Sequence, residues 1–188
     1  MRFKLPSLVR DRRGIAATEF ALIAPALIFL VMGVLEMSFR FRAAEDATRY
    51  VHQVADLVSR EETLSTTELK DIYDASIHMM KPLETTDRLD FDVSAVQLKG
   101  VSKTPTLLWR RVAGTPVTFI LSDTAGMGDQ DESVVRVGVR YSYESVLSNL
   151  FGGKSMTIER SAYARPREER LIIMDGKTDD NGATKPIE

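Results

Sequence analysis

The spacing of apolar positions changes several times along the chain, and each change predicts a different element. From Gly14 to Leu35 there is a single charged residue, Glu19, and from Phe20 to Leu35 there is none. Apolar side chains surround this stretch on every side, as in a helix immersed in lipid or buried in a bundle. At about 1.5 Å per residue it reaches ~33 Å, enough to cross a hydrocarbon core of about 30 Å. Beyond it the pattern narrows to a stripe at three- and four-residue spacing: Met37, Phe41, Ala44, Ala47, Val51, Val54, Ala55 and Val58. The helix is therefore expected to leave the membrane and continue as an amphipathic one. Ser65-Thr66-Thr67-Glu68 reads as a capping box, Leu69, Ile72, Tyr73, Ile77 and Met80 as an apolar face, and Pro82 as a stop. That predicts a second helix over 65–81.

From residue 89 the period becomes two. Leu89, Phe91 and Val93 alternate with Asp90, Asp92 and Ser94, and Val96 and Leu98 then take the opposite phase, which predicts a strand with a bulge near Ala95. Leu107–Val112, around Trp109, predicts another strand before a Gly114-Thr115-Pro116 turn, and Val117–Leu121 could lengthen that region. Ser133–Glu144 carries Val135, Val137, Val139, Tyr141 and Tyr143 on one face, with Arg136, Arg140, Ser142 and Glu144 on the other. Lys154–Arg165 is its expected partner, joined through Gly152-Gly153. Helices first and strands after imply an α+β domain with a mainly antiparallel sheet. Asp175–Glu188 is charged, glycine-containing and aperiodic, and is expected to be a disordered tail. The organisation that follows is a basic leader over 1–14, a transmembrane helix over 15–37, an α+β domain over 38–174 and a tail over 175–188.

Charge gives this layout a direction. Residues 1–14 hold Arg2, Lys4, Arg10, Arg12 and Arg13 against Asp11, so the remainder of a chain whose net charge is −2 is acidic. An acidic exported part speaks against nucleic acid as a partner, because phosphate recognition needs a basic face. Basic residues beside a span tend to stay cytoplasmic, which leaves the C-terminal domain outside the cytoplasm. A cleaved secretory signal fits poorly, since the apolar run is long and Ala24-Pro25-Ala26 falls in its middle. Pro25 removes one helical hydrogen bond, so a bend or loosening near Ala21 is expected. There is no cysteine, which excludes disulfides, zinc–thiolate sites and thiol nucleophiles.

Glu19 is the residue that such a span does not need. A carboxylate in a membrane helix costs about 2.5–3.5 kcal/mol at the bilayer centre and less near an interface, so it usually marks a function; snorkelling beside Arg12 and Arg13 is the plainer alternative. The stretch Arg12-Arg13-Gly14-Ile15-Ala16-Ala17-Thr18-Glu19-Phe20, followed by an apolar helix, resembles the class III signal of type IV pilin-like proteins. More narrowly, Arg13, Gly14, Ala17, Glu19, Phe20, Ala21, Leu22, Pro25, Leu27, Gly33 and Glu36 resemble the N-terminal motif of the TadE-like family, minor pseudopilins of tight-adherence (Flp) pilus systems.

The resemblance implies cleavage by a membrane prepilin peptidase between Gly14 and Ile15, which would make Glu19 the fifth mature residue. It further implies roles for Glu19 and Phe20 in assembly and processing, and for Arg12 and Arg13 as leader charges. The implied partners are the inner membrane, the peptidase, other pilins or pseudopilins and the assembly platform. No cofactor and no small-molecule substrate are implied. Whether Glu19 neutralises the new amine of its own chain or that of a neighbour stays open. The rival reading is a signal-anchored periplasmic binding or sensor module that is never cut.

Other constellations carry less. His52 and His78 are far apart and lack metal-ligand spacing. Asp123–Glu132 is acidic and glycine-rich but lacks the spacing of a calcium loop, and its acids would repel phosphate from Gly126-Met127-Gly128. Neither GxSxG nor SxxK occurs, so an enzyme is not expected. Arg160, Arg165, Arg167 and Arg170 read as charges guarding an edge strand.

Overall fold

The computed structural model describes residues 14–80, 88–145, 155–167 and 170–187. The leader before Gly14, the stop at Pro82 and the Gly152-Gly153 turn lie outside the described residues.

Helix α1 runs Ile15–Val58 without interruption, with Pro25 inside it. Its first part, through Phe41, is exposed almost everywhere, and only from Ala43 does it bury a stripe. That stripe is Ala43, Ala47, Tyr50, Val51, Val54, Ala55 and Val58. Met37 and Phe41, expected at its start, are exposed, because the helix has not yet reached the sheet there. Small residues at 43 and 47 let α1 approach closely, and Val51, Val54 and Val58 fill the space above β4 (Ser133–Tyr143) and β5 (Met156–Ala164). Burying each of these valines is worth about 1.5–3 kcal/mol.

After the short β1 (Thr63–Leu64), α2 spans Thr66–Asp74. The expected capping box is present: Glu68 N donates to Ser65 Oγ at 3.2 Å and Ser65 N to Glu68 Oε2 at 2.8 Å. The expected single helix is divided at Ala75, and α3 covers Ser76–Met79.

Five strands form the main sheet in the order β5-β4-β2-β3-β7, where β2 is Leu89–Lys99, β3 is Thr104–Ala113 and β7 is Ala183–Pro186. All pairs are antiparallel except β3 with β7. The bulge falls where β2 meets β3: the register moves from Ala95↔Trp109 to Val96↔Leu107, leaving Leu108 as the extra residue. Gly114 turns the chain out of β3 at φ +78, as the Gly-Thr-Pro signal indicates. Val117–Ile120 adds no strand and leads into a 3-10 turn at Leu121–Thr124.

The sheet is covered on both faces. One carries Phe91, Val93, Val135, Val137, Val139 and Ile158 under α1. The other lies beneath the segment joining β3 to β4, which buries part of the polar face of the alternation: Arg136 and Asp92 are both 0% exposed. Asp92 accepts from Arg110 Nε at 3.1 Å and from Val117 N at 3.1 Å, and lies 3.3 Å from Arg136 Nη1. Arg136 Nη2 donates to Thr118 O at 2.9 Å, and its guanidinium lies 4.8 Å from the Phe119 ring centre. Alternation alone marks these residues as polar. It does not reveal that a loop returns to bury them.

The expected disorder over 175–188 is likewise corrected for residues 175–187. Ile173–Met174 forms β6, parallel to β1, and β7 closes the edge of the main sheet. The segment docks on the bulge, where Leu108 O accepts from Asp180 N at 2.9 Å and Gly182 N at 3.1 Å. Arg111, 1% exposed, donates from Nη2 to Asp175 Oδ2 at 2.9 Å and Asp180 Oδ2 at 3.3 Å, and Trp109 Nε1 donates to Ile172 O at 3.1 Å.

Candidate functional site

The head of α1 brings together the described residues singled out in the sequence; Arg12 and Arg13 lie outside the described residues. Gly14 precedes the first helical residue with φ −82 and ψ −16, a conformation open to any residue type. A Cβ added there would find nothing within 4 Å. Neither backbone geometry nor packing among the described residues therefore explains a glycine at this position. Ile15 begins the helix, and Thr18 Oγ1 donates to its carbonyl at 2.8 Å, closing the first turn. Glu19 follows one turn later on the same side as Ile15, since residues four apart on a helix are neighbours. Glu19 and Phe20 are exposed, and Glu19 makes no ion pair with the described residues.

The exposed helix above this head is long and apolar enough to cross a membrane, and the window that meets that test has no residue buried in the domain. At the far end of the span Glu36 Oε1 accepts from Arg40 Nε at 2.8 Å, an i,i+4 pair. Pairing lowers the cost of carrying two charges at the end of a segment apolar enough to cross a membrane.

Several other charged groups tie the fold together. Lys103 Nζ donates to Asp129 Oδ1 at 3.1 Å and holds that carboxylate below its ordinary pKa, while Asp131 Oδ1 accepts from Gly100 N at 3.0 Å. The acidic loop thus closes on the β2–β3 hairpin. Arg160 Nε donates to Thr48 Oγ1 at 3.1 Å, Arg165 to Met127 O, and Arg167 pairs with Asp56; Arg170 is exposed. Edge strand β5 and the segment after it are in this way tied to α1 and to the loop. His52 and His78 are exposed, and among the described residues no three His, Cys, Asp or Glu side chains gather in a metal-binding arrangement.

No curated protein and no solved structure matches the chain. A family model does match, described as TadE-like protein, over residues 14–56, which begin at Gly14 and end near the close of α1. Over that segment the chain is similar to the TadE-like family, and this similarity associates it with the tight-adherence pilus.

Proposed function

We propose that the chain is a minor pseudopilin-like subunit that works in assembly of the tight-adherence (Flp) pilus and so in surface attachment. In this reading it sits in the inner membrane with its N-terminus cytoplasmic and its α+β domain exported. A prepilin peptidase cuts between Gly14 and Ile15. The observation that supports this most strongly is the head of α1, where a glycine that packing among the described residues does not require stands five residues before a carboxylate that makes no ion pair with them.

The chemistry follows from charge. Before cleavage, Arg12 and Arg13 hold the helix head at the cytoplasmic face, since moving them into lipid is costly. Gly14 offers a peptidase cleft a backbone without a Cβ. Cleavage removes the basic leader and creates an α-amino group on Ile15, leaving one cation and one anion, Glu19, within a turn of each other. Low dielectric strengthens attraction between such groups, whether within one chain or between neighbours. The helix head thereby becomes able to enter a packed apolar assembly.

Replacing Glu19 by Ala should leave membrane insertion intact, judged by resistance to alkaline extraction, while pilus formation and surface adhesion are lost. Normal piliation by the Glu19→Ala variant would contradict the assembly role.

A further inference from the structure

Two open grooves flank α1 beyond the apolar span, one rimmed by carboxylates alone and the other by two arginines and one glutamate. The upper one, about 270 Å³, has an apolar floor of Leu57, Leu64 and Ile72 and a rim of Glu61, Glu68 and Asp71. Glu68 is committed to the capping box, whereas Glu61 and Asp71 make no ion pair among the described residues. Leu57, 46% exposed, is a large apolar side chain turned away from the domain core. The lower groove, about 520 Å³, is lined by Phe41, Ala44 and Thr48 with Glu45, Arg49 and Arg160. Phe41 is 63% exposed, Arg160 has only neutral hydrogen-bond acceptors among the described residues, and Arg49 reaches Asp46 at 3.8 Å.

We propose that these grooves are the two halves of one contact between copies of this chain: the Phe41–Arg49–Arg160 face of one copy seats against the Leu57–Glu61–Asp71 groove of another. This deepens the assembly reading above and rests on it. Charge complementarity favours a second copy as occupant, because a rim of carboxylates around an apolar floor matches an exposed phenylalanine on a face where Arg49 and Arg160 outnumber Glu45. Helical geometry fixes the arrangement. Phe41 and Leu57 are roughly 24 Å apart along the axis and about 160° apart around it at about 1.5 Å and 100° per residue. One copy can therefore use both grooves at once with two different neighbours, a heterologous contact that propagates instead of closing on itself. Two copies anchored at the same depth in one bilayer cannot bring these grooves together. The contact requires one α1 to be displaced outward by the stagger.

The chain has no cysteine, so introduced thiols report without background. Full-length chains carrying Glu61→Cys or Arg49→Cys, with different tags, are mixed and oxidised in detergent micelles, where axial displacement is free, and in lipid vesicles, where both are held at one depth. The mixed disulfide is expected in micelles and lost in vesicles. It should fall to the level of a Glu61→Cys with Val101→Cys control when Asp71 is replaced by Arg, and return when Arg160→Glu is added to the other chain. A micelle yield equal to the control overturns the contact; so does preferential coupling of Glu61→Cys to itself, which means a two-fold interface. Equal yields in micelles and vesicles overturn the stagger. None of these outcomes bears on cleavage at Gly14, which is read separately from the mature N-terminus.

Discussion

Two glycines act at the scale of single residues, Gly14 in the proposed processing and Gly138 in folding. Gly14 has open space where a Cβ would go, so Gly14→Ala should leave thermal stability unchanged within about 0.5 kcal/mol, the usual range for surface changes. It should nevertheless impair removal of the leader, read as a shift on an immunoblot. Gly138 is the opposite case. It faces Asp92 across the β2–β4 pair, and a Cβ there would lie 2.7 Å from Cζ of Arg136. Gly138→Ala should therefore push the guanidinium away from Asp92 and destabilise the domain by about 3–5 kcal/mol, the usual cost of breaking a buried ion pair, measurable by denaturant unfolding. The sequence announced the first glycine, which sits between a charge break and an apolar run. It was silent on the second, because Arg136 becomes buried only when the segment between β3 and β4 folds back over the sheet.

Among the elements, those whose stability comes from local pattern were legible and those held by distant partners were not. The capping box of α2 was readable from four consecutive residues, and Ser65→Ala should cost about 1 kcal/mol. The long α1 and the alternation in β4 were readable for the same reason. The C-terminal segment was not, since β7 has little apolar content and depends on Arg111, the Leu108 bulge and two aspartates. Its pH response follows from those aspartates. Burial pushes the Asp175 carboxyl up, but hydrogen bonds from Thr66 and Arg111 outweigh it and leave it below its ordinary value of 3.8. Asp180 is lowered as well, by the hydrogen bond from Lys185 and by the charges of Lys185, Arg111 and Lys177. Because both folded values are depressed, their stabilisation is present above about pH 3.8 and is lost as pH falls through the lower folded values. Trp109, the single tryptophan, donates to Ile172 O in the segment leading to β6. Its fluorescence should report detachment of the C-terminal segment below that pH, and Asp175→Ala should move the transition upward.

At the scale of the whole molecule, one helix connects two environments. Its first part is exposed, apolar and long enough to cross a membrane, its second packs on a five-stranded sheet, and no break separates them. A displacement of the domain along the helix axis is therefore transmitted to the span, and the reverse. The central claim is that this helix begins, in the mature protein, at Ile15 with Glu19 as its only charged side chain before Glu36. Intact-mass spectrometry of the protein extracted from membranes of cells expressing the prepilin peptidase tests it most directly. The account predicts a mature chain whose first residue is Ile15. A chain that still begins at Met1, with Arg12 and Arg13 in place, would contradict it.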